Sequence, residues 1–160
     1  MVKNGRVYTA KGQMSTEVWI KDGRIAALGG AHRAEESIDA RGMLVLPGAI
    51  DVHVHFRDPG PNYKEDWASG SASAAAGGVT AVIDQPNTVP RTVDARSFEE
   101  KLEIARHRSS IDFALNGGPG KIDELKGAGA QAIGELFSYE HSDRDLAAIL
   151  SGIKEAGMLA

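Results

Sequence analysis

The pattern of apolar and polar positions changes once along the chain, at Pro47-Gly48. Before that break, short β-forming runs are separated by turn dipeptides. Val2-Lys3 and Arg6-Val7-Tyr8 flank Asn4-Gly5; Val18-Trp19-Ile20-Lys21 and Arg24-Ile25-Ala26-Ala27-Leu28 flank Asp22-Gly23. Both dipeptides tolerate the positive φ of a two-residue turn, so each predicts a hairpin. Residues 1–46 therefore read as a small antiparallel β domain, ending in Met43-Leu44-Val45-Leu46.

Beyond the break, strand-like runs begin near Ile50, Val79, Ile111 and Ala130, with helical stretches between them. The first helix is predicted over Tyr63–Ala76, with Asn62 as cap, Glu65 three residues on, and Gly77-Gly78 as the stop. The second follows Asp94 and sets Phe98, Leu102 and Ala105 on one face. A short third helix covers Lys121–Lys126. The fourth opens on Ser142 and Asp145, and carries Leu146, Ile149, Leu150 and Ile153 at helical spacing as far as Gly157. Alternating strands and helices imply an α/β unit with parallel strands and right-handed crossovers. An eight-unit barrel takes roughly 200 residues or more. Residues 47–160 thus amount to about the first four βα units, and Met158-Leu159-Ala160 reads as the opening of a fifth strand. The chain is expected to be part of something longer.

Composition narrows the chemistry. Of 160 residues, 42% are hydrophobic and 25% charged, the balance of a soluble globular protein. There is no cysteine, which excludes disulfides, thiolate metal sites and thiol nucleophiles. Any metal must be held by His, Asp or Glu. The net charge is -4 with Lys and Arg scattered, which argues against a nucleic-acid partner. No apolar run reaches the length of a signal core or a membrane span, so a cytoplasmic protein without a membrane partner is expected.

The sharpest motif is Asp51-Val52-His53-Val54-His55-Phe56-Arg57-Asp58-Pro59-Gly60. On a strand, Asp51, His53 and His55 share one face while Val52, Val54 and Phe56 share the other. The polar face is expected to look into the barrel and the apolar face to pack on helices. Two imidazoles at i and i+2 lie about 6.6 Å apart at Cα and can converge on one metal. Asp84-Gln85-Pro86-Asn87-Thr88 ends the second run; it is either a loop presenting Asn87 to a ligand or a simple turn. Asn116-Gly117-Gly118-Pro119-Gly120 reads as a flexible turn, with Asn116 a weak candidate. Glu135, late in the run Ala130–Phe137, is a metal ligand or a solvated strand tip, and the ligand reading is preferred. His141 is expected on the rim, and His32 and His107 are given no role.

The stretch from Leu46 to Gly60 resembles the signature of dihydroorotases among the cyclic amidohydrolases. Tyr63-Lys64-Glu65-Asp66-Trp67-Ala68-Ser69-Gly70, Ala74-Ala75-Ala76-Gly77-Gly78-Val79-Thr80 and Gln85-Pro86-Asn87-Thr88 continue it in order. The resemblance implies a metal-dependent (β/α)8 TIM barrel, with a small β domain built from both ends of the chain. It implies reversible closure of N-carbamoyl-L-aspartate to dihydroorotate, a step of pyrimidine synthesis, with one or two Zn2+ activating water. His53 and His55 match metal ligands. Arg57 and Asn87 match residues that hold the substrate carboxylate, and Asp51 is expected behind the ligands. Arg57 favours an acidic substrate over allantoin or hydantoin rings. Glu135 stands where many relatives carry a carboxylated lysine. The later histidines and the catalytic aspartate are expected outside residues 1–160, so this chain alone is expected to be inactive. The alternative is a non-catalytic half-barrel subunit, closed by a second copy or by a chain that supplies the missing half.

Overall fold

The computed structural model describes residues 1–160, which form two compact units, Met1–Pro47 and Gly48–Ala160. In the first unit the strands are β1 (Val2–Lys3), β2 (Arg6–Thr9), β3 (Gly12–Ser15), β4 (Val18–Lys21), β5 (Arg24–Leu28), β6 (Ile38–Asp39) and β7 (Leu44–Val45). They form two sheets, ordered β5-β4-β1-β6 and β3-β2-β7. Asp22 and Gly23, both at positive φ, close the β4–β5 hairpin. Asn4-Gly5 closes none, contrary to expectation, because β1 and β2 belong to different sheets. The Asn4 amide is drawn to Asp39 (3.0 Å), and a side chain at Gly5 would strike Val45 and Ala40. The antiparallel partner of β2 is instead β3, across Ala10-Lys11. β1–β6 and β2–β7 pair in parallel, so the unit is mixed rather than antiparallel.

In the second unit, β8 (Ala49–Val54), β9 (Val79–Asp84) and β10 (Asp112–Leu115) form a parallel sheet in the order β10-β9-β8. α1 (Trp67–Ala76) and α2 (Ala95–Arg108) are the crossovers; α3 (Ile122–Ala128) and α4 (Asp143–Glu155) follow. The expected fourth strand is reduced to one bridge, Gly117–Ile133, flanked by bonds from Gln131 N to Leu115 O and from Gly134 N to Gly117 O. It stops there because Glu135 (φ 49°) and Phe137 (φ 50°) turn left-handed. Ile133 N in turn donates to Leu159 O at 2.9 Å. Each segment thus lies beside the next in chain order, but Met158–Ala160 builds no regular strand.

Helix starts follow local chemistry. α1 begins at Trp67, not Tyr63. Its cap is Asp66, whose carboxylate accepts from Ser69 N at 2.8 Å. Asn62 is not a cap: it donates to Asp58 at 2.7 Å and accepts from Gly60 N. Asp94 with Ser97, and Ser142 with Asp145, form reciprocal capping boxes on α2 and α4. The core unites Phe56, Trp67, Val82, Phe98, Ala105, Leu115, Leu125, Ile133 and Ile153. At its centre Trp67 is fully buried, with Phe56 edge-on at 4.9 Å and Phe113 at 5.1 Å. Only Val54 and Phe56 of the expected apolar face join this core. Ile50 and Val52 stay exposed, since β8 has a neighbour on one flank only. No helix is long and apolar enough to cross a membrane.

Trp67→Ala should cost about 3–5 kcal/mol, the range for deleting a buried aromatic, read from urea unfolding. A second test uses the caps. The bonds from the Ser69 and Ser97 backbone hold the Asp66 and Asp94 carboxylates below the ordinary 3.8. That stabilisation is whole above 3.8 and is lost as pH falls through the lowered values. Asn accepts the same backbone bond without titrating. Asp66→Asn with Asp94→Asn should leave the urea midpoint at pH 7 almost unmoved and make it less acid-sensitive below pH 4.

Candidate functional site

The chemistry-bearing side chains gather at the carboxyl ends of β8, β9 and β10. His53, His55 and Glu135 each bring a ligand atom within 4.8 Å of the others. Glu135 Oε1 lies 3.2 Å from His55 Nε2 and 3.7 Å from His53 Nε2. The rings of His53 and His55 meet edge to face at 5.2 Å. Asn87 Oδ1 sits 2.8 Å from His55 Nδ1. An amide oxygen can only accept, so this contact uses a proton on His55 Nδ1, while His55 Nε2 is turned toward Glu135. Glu135 Oε2 is buried with no hydrogen-bond partner. Two imidazoles, a carboxylate and an unsatisfied buried oxygen are the donor set that a divalent transition metal takes, so these residues fit a metal.

Asp51 does not join them. Two residues of β8, Val52 and His53, stand against Ile83 of β9 between the pairs Asp51–Val82 and Val54–Asp84. This bulge breaks the period-two alternation between Asp51 and the histidines. The Asp51 carboxylate turns back and accepts from the backbone N of His53 at 3.1 Å. His141 also lies outside the cluster, at the end of a 3-10 turn over Ser138–Glu140. His32 stacks edge-on against Trp19, and His107 faces Glu103 on exposed helix surface.

The flanking loops are braced. Arg57 is half-buried at φ 61°, in no ion pair. Next to it, buried Asp58 accepts from Arg108 Nη1 at 2.9 Å and from Asn62, while its carbonyl accepts from the Trp67 indole. Arg91 reaches Glu140 with both guanidinium nitrogens (2.6 and 2.7 Å) and lies over the Phe137 ring at 4.2 Å. This ties the loop after β9 to the turn that follows Glu135. Asn116-Gly117-Gly118-Pro119-Gly120 is not the flexible turn expected. A side chain at Gly117 would strike Leu125, and one at Gly120 would strike Val93 O. Asn116 is buried, donates weakly to Gln85 Oε1 (3.4 Å), and keeps an unpartnered Oδ1.

Sequence reasoning missed the groups beneath the site. Lys101 of α2 is fully buried, with Nζ 2.5 Å from Asp84 Oδ2 and 2.6 Å from Gln85 O. Asp84 Oδ1 accepts from Phe56 N at 2.7 Å. Burial pushes the Asp84 carboxyl up and the Lys101 amine down, and their mutual attraction opposes both shifts. The signal was present: Lys101 stands three residues after Phe98 and four before Ala105, inside the apolar stripe of α2.

Residues 42–117 match the family model described as dihydro-orotase-like. The chain is 46% identical to a dihydroorotase of Methanosarcina mazei, over 99% of this chain and 38% of that protein. It is 42% identical to an allantoinase of Bacillus licheniformis, over 91% of this chain and 34% of that one. Among solved structures, an L-hydantoinase from Arthrobacter aurescens superposes with a TM-score of 0.75 at 37% identity, over 82% of this chain and 31% of that one. The chain thus spans less than two fifths of the length of these relatives. Its signature strand, its Pro-Asn-Thr loop and this kinship agree: residues 42–117 are of the dihydro-orotase-like type, and the chain is similar to cyclic amidohydrolases over nearly its whole length.

Proposed function

We propose that residues 48–160 form the first half of a (β/α)8 barrel in a dihydroorotase, which interconverts N-carbamoyl-L-aspartate and dihydroorotate. The observation that carries this is the convergence of His53, His55 and Glu135 at the end of the strand that leads into Arg57. The three donors would hold one Zn2+, with Glu135 in place of the carboxylated lysine of many relatives. Such an ion supplies Lewis-acid polarisation of the ring amide and activation of water.

The protein's own residues have separate tasks. Asn87 orients the His55 ring through Nδ1, and its NH2 group remains free to donate to a substrate oxygen. Arg57 presents a planar fork suited to a carboxylate, which dihydroorotate has and allantoin and hydantoin lack. Asp51 steadies the strand backbone at His53. The proton-transferring group and the rest of the barrel come from outside residues 1–160. The free flank of β8, where Ile50 and Val52 are exposed, is where a further part of the barrel, or a second chain, would pair.

A second reading, an allantoinase or hydantoinase, draws on the relatives that carry those names. Arg57→Ala in the whole enzyme separates the two. For a dihydroorotase, KM for dihydroorotate should rise at least tenfold; turnover of the acidic ring left unchanged would overturn the assignment. On the chain itself, zinc retained after dialysis should come to about one ion per chain by elemental analysis. His55→Ala and Glu135→Gln should each abolish that retention while the circular dichroism spectrum stays the same.

A further inference from the structure

Lys101 is hard to explain as packing. Its side chain is entirely buried within the apolar stripe of α2, where a methionine of similar length would avoid the cost of burying a charge. An ammonium has three N–H donors. One goes to the carboxyl end of β9, to the backbone carbonyl of Gln85, and the ammonium pairs by charge with Asp84 Oδ2 beside it. The chain of bonds then runs on to β8. Asp84 Oδ1 holds Phe56 N, the residue after His55. Gln85 N donates to Val54 O at 3.0 Å, and Gln85 Nε2 reaches Val52 O at 3.3 Å. On β8, then, the bonds land at Val52, Val54 and Phe56, alternating with His53 and His55. Two residues past Gln85, Asn87 meets the His55 ring.

We propose that Lys101 is a positioning residue: from α2 it locks the ends of β8 and β9 in the one register that places Asn87 on His55 Nδ1 and turns His55 Nε2 toward Glu135. The neutral sum of Lys101 and Asp84 does this without adding net charge beneath the donors. The proposal rests on the metal reading only for its effect on affinity; the register and the Asn87–His55 contact belong to the metal-free chain.

The test uses the whole 160-residue chain as Lys101→Met, Asp84→Asn with Lys101→Met, and Phe98→Leu, a core change on the same helix face without polar reach. Three quantities are read: thermal midpoint, the hydrogen-bonded Nδ1–H signal of His55 by 1H–15N NMR without metal, and zinc affinity by chelator competition. Lys101→Met should abolish that signal and weaken zinc by about 10- to 100-fold, as losses behind metal ligands do. The double variant leaves no unpaired buried charge, so it should recover the midpoint without recovering signal or affinity. If Lys101→Met fails to fold, the double variant carries the comparison. Phe98→Leu should lower the midpoint alone. The proposal is overturned if signal and affinity follow the thermal midpoint through the series, or if the variants that lack Lys101 keep the wild-type signal. A wild-type chain that shows the Nδ1–H signal yet binds no zinc would sink the metal reading and leave the positioning role standing.

Discussion

An ammonium group sealed from water has to find its hydrogen-bond acceptors in the protein, and those acceptors cannot move without stranding it. In this fold the group is Lys101 and the acceptors lie where β9 gives way to its loop. That requirement sets the seat of α2 on the sheet. It also couples two layers that hydrophobic contact alone would leave free to slide, because dispersion and area burial have no direction. Phe98, Ala105 and Val82 supply the adhesion, while Lys101 and Asp84 supply the register.

The same logic extends outward to the loops. Arg57 and Glu135 both sit in the left-handed region, which costs a residue with a side chain on the order of 1–3 kcal/mol. Neighbouring contacts over-determine each conformation. Asp58, pinned by Arg108, Asn62 and the Trp67 indole, holds the backbone beside Arg57. The Arg91–Glu140 pair and the Arg91–Phe137 contact hold the turn that follows Glu135. Strain stands at Glu135 of the donor cluster and at Arg57, two residues past His55, and bracing stands one residue or a few away.

Much of this was legible in the sequence, and the misses have physical causes. The two histidines were visible because polar residues in an otherwise apolar strand are costly without a task. Ser142 with Asp145 announced α4 by a bond between near neighbours. The start of α1 was misread because Asn62 and Asp66 are both good caps, and tertiary bonds from Asn62 to the Asp58 loop decide between them. Asp51 falls out of step with the two histidines because a bulge inserts one residue into a period of two. The fourth strand was overdrawn because apolar content says nothing about where φ turns positive. Lys101 was hidden by the habit of counting lysine as surface, although its place in the stripe was plain.

The glycines of the third and fourth segments carry a consequence for how such a protein can diversify. At Gly120 a methyl group would meet the Val93 backbone carbonyl and has no room; at Gly117 and Gly134 it would press on the ends of the Leu125, Gln85 and Asn116 side chains, which would have to shift. These stretches resist single-residue drift: a change there needs a matching movement or loss of volume across the contact. Sequence change is therefore cheaper at exposed loop positions than in this wall, which keeps its shape while the surface around it is free to vary.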